Sequence, residues 1–562
     1  MESISQAASA SEVLGAVKQE QHNPKLNLMS ISSAWVKIAK LPCSLAGMDQ
    51  MQQDPFFADF IRLTEDYAKK ASAEPKLYAR AVANTLWAVC KMYALMPSQL
   101  SSVQKQLSSA VQQAAKYMDA QQVANIIWGS GKLSDSGDED MLALLPALAD
   151  RVQEVKQDMN AQHVTNIIWA IAKLSDSGDE DMLALLPALA DRVQEVKEDM
   201  TVQVVANIIW AIAKLSDSGD VSLLAALPAL TGRIKEVVQD MDAQHVANII
   251  WATAKLSDSG DESLPALLPA LADRVQEVKQ DMNAQHVANI IWAIAKLSGS
   301  GDEALLALLP ALADRVQEVK KDMNTQHVTN MMWACAILLD SGDKSLLAFL
   351  PVLTGRIQEV KQGMNAQHVA NNIWAIAKLS DSGDESLPAL LPALADRVQE
   401  VKQDMNAQHV ANIIWASGKL SDSGDDSLPA LLPALADRVQ EMKQDMNAQH
   451  VANIIWATAK LSDSGDESLL ALLPALADRV QEVKQDLNAQ HVANIIWASV
   501  KLSGCGDESL LACLPTLAVR AEEVRARMKP PQIAMIRQHA TKLSNSLTDA
   551  DISEACLRLS KI

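Results

Sequence analysis

The chain has 562 residues, of which 49% are apolar, and a formal net charge of -20. This apolar share can fill a packed core, which excludes wholesale disorder, and the acidity disfavours nonspecific attraction to phosphate backbones or anionic membranes. Twelve Trp stand against four Phe and four Tyr, a ratio that an average globular composition does not produce.

The cysteines are scattered and contain no CxxC pair, which predicts reduced thiols in an intracellular protein and neither a disulfide framework nor a zinc site. They are Cys43, Cys90, Cys335, Cys505, Cys513 and Cys556. No apolar run approaches the length that a membrane-spanning helix needs, so we expect no membrane partner.

Residues 1–76 are predicted to form an N-terminal region with a degenerate capping repeat around Trp35, in SSAWVKIAKL. Phe56, Phe57 and Phe60 are expected to pack this cap. The first 21 residues, MESISQAASASEVLGAVKQEQ, have no apolar signal core, three Glu and no Arg, which fits a transit peptide poorly. The sequence itself leaves the compartment open.

A 41-residue period dominates residues 77–528. It is marked by Trp87, Trp128, Trp169, Trp210, Trp251, Trp292, Trp333, Trp374, Trp415, Trp456 and Trp497. Residues 529–562 keep the register but carry Gln538 in place of Trp, as expected of a degenerate C-terminal cap. The period predicts about 11–12 tandem units with atypical ends.

Each unit reads as two helices. The residue nine before each Trp, such as Asn283, is an N-cap former. Helix A then runs through the Trp and is predicted to stop near SDSG, where Gly supplies a left-handed residue. Helix B follows with apolar residues stepping by three and four, and Pro269 predicts that this helix is kinked or begins there. We expect an all-α fold, an α-solenoid of two-helix repeats that winds into a superhelix.

Helix A carries one polar line. At 100° per residue Gln162, Asn166, Trp169 and Lys173 share a narrow stripe, and Ile and Val residues occupy the opposite face. Stacked repeats would turn the stripe into a ladder. Its candidate RNA-binding residues are Gln121, Asn125, Lys132, Gln162, Asn166, Lys173, Gln203, Asn207, Lys214, Gln244, Asn248, Lys255, Gln285, Asn289, Lys296, Gln367, Asn371, Lys378, Gln408, Asn412, Lys419, Gln449, Asn453, Lys460, Gln490, Asn494 and Lys501.

The stripe has a functional and a structural interpretation. Amides can hydrogen-bond base edges, Trp can stack on a base and Lys can meet a phosphate. Alternatively, the Asn bonds the backbone of the neighbouring unit and the Trp is a packing wedge. The acids lie in the loop and on helix B, so the stripe is predicted to be weakly positive on an acidic body.

Other candidate sites are weaker. The eight recurrent His, for example His163, stand one helix spacing of about 8–10 Å apart, too far to share a metal, and are expected to be solvated rim residues. The SDSGDE loops lack calcium-ligand spacing and are expected to serve as caps. Near-identical copies do not suit a catalytic site. We expect no enzyme activity, cofactor, metal or small-molecule substrate.

The phrase QHVANIIWAIAKL resembles the octotricopeptide repeat signature Q-x-x-A-N-x-x-W-A-x-A-x-L over about residues 78–525, although the period is 41 where that family's name means 38. The resemblance implies an RNA-binding solenoid that acts in organellar RNA maturation, stability or translation, in a chloroplast or mitochondrion. It also implies units that read about one nucleotide each. Since the copies are nearly identical, such a code would spell a near-homopolymer.

Two partner classes therefore remain open. Single-stranded RNA is the first, favoured by the resemblance. The alternative is a protein-binding solenoid of HEAT or armadillo type, in which the same groove holds an extended peptide, including a host-interacting role in a bacterial protein. The acidic body favours this second class. A scaffold that binds no ligand along the stripe is a third interpretation.

Overall fold

Helix is the only regular structure in the described part of the chain, and the expected all-α repeat architecture is confirmed. The structure, a computed structural model, describes residues 2–23, 26–41, 45–134, 138–175, 179–216, 219–300, 303–340, 342, 344–384, 386–423, 426–464, 467–504, 507–544 and 549–562. Cys43 and Cys505 lie outside these residues. The chain forms two compact bodies, Met1–Val278 and Lys279–Ile562.

In the first body, helices A and B alternate after an N-terminal helical region. The N-terminal helices are Glu2–Gln6, Ala10–Glu20, Leu28–Lys40, Leu45–Gln52 and Phe57–Ala73. Helices A are Pro75–Tyr93, Ala120–Lys132, Ala161–Leu174, Val202–Leu215 and Ala243–Lys255. Helices B are Pro97–Ala114, Leu145–Val155, Leu186–Val196, Leu227–Val237 and Leu268–Val278.

The second body continues the same alternation. Its helices A are Ala284–Leu297, Thr325–Asp340, Ala366–Leu379, Ala407–Lys419, Ala448–Leu461 and Ala489–Ser503. Its helices B are Leu309–Val319, Leu350–Val360, Leu391–Val401, Leu432–Glu441, Leu473–Glu482 and Leu514–Val524, and the cap helices are Pro530–Ser544 and Ala550–Ser560. Within each body every helix A contacts the next helix A, so these helices form a continuous layer.

Local sequence signals set the helix ends. Asn283 and its equivalents accept a hydrogen bond from the backbone N–H three residues on, as predicted. The left-handed Gly is confirmed at Gly219, Gly260, Gly342 and Gly383, with φ between 79° and 91°. Helix B does not kink at Pro269. It begins at Leu268, so the proline lies in the first turn, where its missing N–H costs no helix hydrogen bond.

The core lies around helix A. In the repeat of Trp292 the side chains of Val287, Ile290 and Ile291 are fully buried. Each such side chain contributes about 1.5–3 kcal/mol by leaving water. Because the same positions repeat along the layer, each repeat is stabilised mainly by its neighbours.

The N-terminal cap is packed as predicted, with Phe56, Phe57 and Phe60 all buried. Trp35 is fully buried, stacks on Phe60 at 4.8 Å between ring centroids and donates a hydrogen bond to the Thr64 hydroxyl. It therefore differs from the Trp of the regular repeats, which reach the surface. The predicted boundary after residue 76 falls inside helix Pro75–Tyr93, and the boundary after residue 528 falls just before helix Pro530–Ser544.

Candidate nucleic-acid interface

One edge of each helix A reaches solvent, and it carries the predicted stripe. In the repeat of Trp374, Gln367 is exposed, whereas Asn371, Trp374 and Lys378 are half-buried between fully buried neighbours. All nine candidate Gln are exposed and all nine candidate Asn are half-buried. Lys132 and Lys296 are exposed, and the other seven candidate Lys are half-buried. The structure therefore places every candidate residue on the accessible edge of its own helix A.

The Trp rings of successive repeats pack on one another. In the first body the ring centroids of Trp128 and Trp169 lie 6.3 Å apart, and in the second body those of Trp415 and Trp456 lie 6.2 Å apart. Their planes differ by 30° and 28°. Such offset aromatic pairs contribute about 0.5–1.5 kcal/mol each. This geometry favours the structural interpretation of the Trp.

The Lys ammonium groups lie over this Trp ladder. The Lys378 Nζ is 5.7 Å from the ring centroid of Trp374 and 5.6 Å from that of Trp415, one repeat later. In the first body Lys132 bridges Trp128 and Trp169 in the same way, at 5.5 and 5.2 Å. Cation–π attraction therefore holds these lysines across two repeats.

The same Lys groups also pair with Asp residues at the C-terminal end of helix A of the preceding repeat or directly after it. Lys378 pairs with Asp340 at 2.6 Å, and Lys419 with Asp381 at 3.0 Å. Lys501 pairs with Asp463 at 3.0 Å. In all three pairs the Asp precedes its Lys by the same distance along the sequence. The stripe is consequently less positive than the sequence suggested, because these Asp residues partly neutralise it.

The sequence contains a signal for this pairing that the helical wheel does not show. Ile337 replaces the stripe Lys in the repeat of Trp333, and Gly299 stands at the position of its acidic partner, where the repeats on either side carry Asp258 and Asp340. Where the cation is lost, its acidic partner is lost as well. This joint change is visible in the sequence alone when the position of Asp340 in each repeat is compared with the position of Lys378 in the following repeat.

The amide groups are the least engaged part of the stripe. The Gln162 side chain donates to the Asn166 side-chain oxygen at 2.8 Å, and the Gln490 side chain donates to the Asn494 side-chain oxygen at 2.6 Å. In the described part of the chain the other seven candidate Gln side chains form no hydrogen bond with protein, nor does any candidate Asn bond a neighbouring backbone. The amide edge is therefore the surface that a ligand can use.

The recurrent His are not solvated rim residues, and that expectation is corrected. His163 is half-buried at the third position of helix A, where its Nδ1 accepts from the backbone N–H of Asn160 at 3.4 Å. Its own N–H donates to the Asn160 side chain at 3.0 Å. The pair forms a capping box, which repeats at the other helices A with this sequence.

A second contact between repeats, made by an Arg of helix B, is not indicated by the helical periodicity of the sequence. Arg397 on helix B donates from Nε to the carbonyl oxygen of Met364, in the preceding repeat, at 2.8 Å, and its Nη1 pairs with Glu400. Equivalent arginines bind the equivalent carbonyl along both bodies. The motif RVQE thus fastens one repeat to the previous one.

The most varied position of helix A lies two residues after each Trp and is buried in every repeat. It is occupied by residues such as Thr253, Cys335 and Ser417, with at most 1% exposure in these three repeats. Variation there changes packing between repeats and leaves the exposed edge uniform. A ligand along the edge therefore meets almost the same chemistry at every step.

Chemically, the edge offers one amide pair per repeat, with a donor and an acceptor on each side chain. Among the described residues no cluster of three or more His, Cys, Asp or Glu has the arrangement of a metal site. None of the described helices is long and apolar enough to cross a membrane. The arrangement suits recognition of an extended, repetitive polymer.

Solved structures of very low sequence identity align with nearly the whole chain. They include a homology model of the full-length AP-3 complex in an intermediate open conformation (12% identity, 98% of this chain, 99% of that chain, TM-score 0.23). A crystal structure of She4p (13%, 99%, 84%, 0.24) and a circular tandem repeat protein with novel repeat topology and enhanced subunit contact surfaces (10%, 98%, 95%, 0.13) also align. TM-scores this low carry no argument about function.

No curated protein matches the chain by sequence. A family model does match, that of the RNA-editing substrate-binding complex 6 protein, over residues 142–262 and 302–508. The matched residues include Trp169, Trp210 and Trp251 of the first body and the five Trp from Trp333 to Trp497 of the second body. Since they make up more than half of its length, the chain belongs to the RNA-editing substrate-binding complex 6 protein family.

Proposed function

We propose that the protein binds single-stranded RNA along the Gln and Asn edge of helices A, as part of RNA editing or a related step of RNA maturation. The observation that carries the proposal is the row of exposed amides that lack protein partners in the described residues, for example Gln367 and Gln408. The family name, which refers to a complex that binds RNA-editing substrates, supports the same conclusion.

The chemistry of an amide edge suits unpaired bases. A Gln or Asn side chain donates and accepts in one plane, so it can match the hydrogen-bonding edge of a base that is not already paired. The sequence suggested that the stripe Lys residues contact phosphate, but we assign them a structural role. Lys378 contacts Trp and Asp, and Lys419 pairs with Asp. We therefore assign these lysines to holding the ladder together, and the amides to the contacts with RNA.

Near-identity of the repeats sets the specificity. Every repeat from that of Trp128 to that of Trp497 presents the same Gln–Asn pair, so a strand lying along the edge would be read as the same base repeated. The protein would therefore prefer a near-homopolymeric tract over mixed sequence. It would act by binding and not by catalysis, since no repeat differs enough from its neighbours to supply an acid, a base and a nucleophile in different environments.

The organellar setting and the specific octotricopeptide assignment belong to this proposal as well. They rest on the phrase QHVANIIWAIAKL. In that setting the protein would protect, mature or present a transcript in a chloroplast or mitochondrion. Fractionation of tagged protein and sequencing of crosslinked RNA would test this step separately from binding.

Binding is tested with fluorescently labelled 20-mers of each homopolymeric RNA, at low and moderate salt. We expect one homopolymer to bind more tightly than the others. The triple variant Gln367→Glu, Gln408→Glu and Gln449→Glu places three carboxylates on the edge without touching Trp or Lys. It should lower the affinity for the preferred RNA by about tenfold or more, since each lost polar contact contributes about 1 kcal/mol or more.

A matched control carries the same three charges on the opposite layer, at Gln317, Gln399 and Gln440, which are exposed on helix B. Equal losses in the two triple variants would mean that only overall charge matters, and would contradict recognition at the edge. No binding of any RNA at low salt would overturn the RNA proposal.

A protein partner is the second candidate, and the Lys–Asp pairs are the observation that favours it. These pairs leave the edge amide-rich and nearly neutral, which suits the backbone of an extended peptide as well as bases. This candidate would be favoured if, in a pull-down, the edge triple variant lost a protein partner that wild type retains while its RNA binding stayed unchanged.

A further inference from the structure

The last repeat reverses the charge of a cavity that lies beside the stripe. In the repeat of Trp415 an open cavity of about 520 Å³ lies at the N-terminal end of helix A and is lined by Gln408, Arg438, Glu441, Asp445 and other residues. It therefore holds one cation and two carboxylates. Gln408 belongs to the amide edge, so the cavity adjoins the surface proposed to bind RNA.

The corresponding cavity in the repeat of Trp497 has a volume of about 420 Å³ and contains Gln490, Arg520, Arg527, Lys529 and Gln532. Arg527 occupies the position that Asp445 occupies two repeats earlier, and Lys529 replaces the N-cap Asn. Asp486 is the one acidic residue in this lining. The cavity has changed from net acidic to net basic.

The two substituted cations are available for a ligand. Arg527 and Lys529 are both exposed, and within the described residues neither side chain forms an ion pair. Arg520 supplies a third positive charge, although it also pairs with Glu523 at 2.7 Å. Amide groups complete the wall, because Gln532 donates to the Gln490 oxygen at 2.7 Å.

The surrounding sequence extends the basic character. From residue 525 to residue 548 there are five Lys or Arg and no Asp or Glu, in a protein with a net charge of -20. A terminal repeat needs a polar outer surface for solubility, but that requirement is met by charges of either sign. It does not account for replacing the recurrent Asp and Asn by Arg and Lys around one cavity.

We propose that this cavity is a phosphate-binding site, in which Arg527 and Lys529 hold a phosphate group at one end of an RNA strand lying on the amide edge. Arg and Lys are the side chains that bind phosphate most strongly, and the neighbouring amides donate further hydrogen bonds. The anchoring of RNA rests on the proposed function, whereas the binding of phosphate does not. The site would fix the register and direction of the strand.

The test restores the ordinary repeat residues, in the variant Arg527→Asp with Lys529→Asn. The control variant Lys320→Asn with Lys321→Asp makes the same change in net charge at two exposed residues of another turn. With the preferred 20-mer the first variant should lose about tenfold affinity relative to the control, and its salt slope should fall by about 0.7, the value for one lost phosphate contact on a single strand. Comparing strands with 5′-phosphate, 3′-phosphate or hydroxyl ends shows which group is held.

A second measurement uses inorganic pyrophosphate and calorimetry on the full chain. Wild type and control should bind it, and the Arg527→Asp, Lys529→Asn variant should not. If the two variants behave alike with both RNA and pyrophosphate, the phosphate site is overturned, even when RNA binding itself persists. If no RNA binds but pyrophosphate binding is lost only in the first variant, the site stands and the RNA proposal falls.

Discussion

The side-chain nitrogen of Asn372 lies 2.7 Å from the hydroxyl oxygen of Thr329, in the core between two successive helices A. Both residues are buried. Ile or Met occupies the position of Asn372 in the other repeats except that of Trp87, which carries Thr85, and Ala occupies that of Thr329 in most of them. The second body thus contains a polar pair where its neighbouring repeats have apolar packing.

Replacing Asn372 by Ile should stabilise the protein by about 1–3 kcal/mol, because the Asn372 carbonyl oxygen is buried without a hydrogen bond from any described residue. Thr329 loses nothing essential, since its hydroxyl still donates to the Thr325 carbonyl at 2.8 Å. Urea unfolding followed by circular dichroism measures the change. The reverse substitution, Ile413→Asn, lies one repeat on and faces Ala370 instead of Thr, so it should destabilise. A loss of stability in Asn372→Ile would contradict the assignment of this pair as a packing defect.

Lys419 and Asp381 should be energetically coupled across two repeats. The pair is partly exposed, so the expected coupling in a double-mutant cycle of Lys419→Ile and Asp381→Gly is only about 0.2–1 kcal/mol, and it should shrink in high salt. The double variant copies the Ile337 and Gly299 combination that the chain already contains. Additive effects of the two single changes at low salt would show that the contact carries no stability.

These contacts show what could be read from the sequence and what could not. Helix starts at Asn283 and its equivalents were predictable because an N-cap acts on residues two or three positions away. The exposed edge was predictable because helical periodicity places Gln367 and Asn371 on one side. The Lys378–Asp340 and Arg397–Met364 contacts join residues that are far apart along the chain, and they form only when two repeats stack. Because almost every repeat has the same residues at these positions, the sequence contains little joint variation from which the contacts could be predicted.

Arg397 should be more than a positive charge. The variant Arg397→Lys keeps the charge but loses the planar guanidinium that bonds the Met364 carbonyl and Glu400 together, so we expect a loss of about 1–3 kcal/mol. The variant Glu400→Gln removes only the exposed ion pair and should cost less than about 1 kcal/mol. Hydrogen exchange at the turn after Met364 would localise the effect. Equal stability of the two variants would indicate that the carbonyl contact contributes little.

The capping-box His should make stability depend on pH. Burial lowers the pKa of six of them below the ordinary value, namely His163, His327, His368, His409, His450 and His491. For His163 the nearby Asp119 opposes this effect of burial on the pKa. Since the folded pKa is the lower one, the unfolded chain binds more protons between the two values. The contribution of these His to stability is therefore fully present above a pH of about 6.5 and is lost as the pH falls through the window down to the folded pKa.

The chain contains its own control for this effect. Gln122 takes the place of His in the repeat of Trp128, and its side chain forms the same capping box with Asp119. Replacing the six His by Gln should preserve the melting temperature at pH 7.5 and reduce its fall between pH 7 and pH 5. The measurement is Tm by calorimetry across this range, together with proton uptake on unfolding near pH 6. If the Tm of the His-to-Gln variant falls with pH as steeply as that of wild type, the pH dependence comes from carboxylates, and the capping His do not have a lowered pKa in the folded protein.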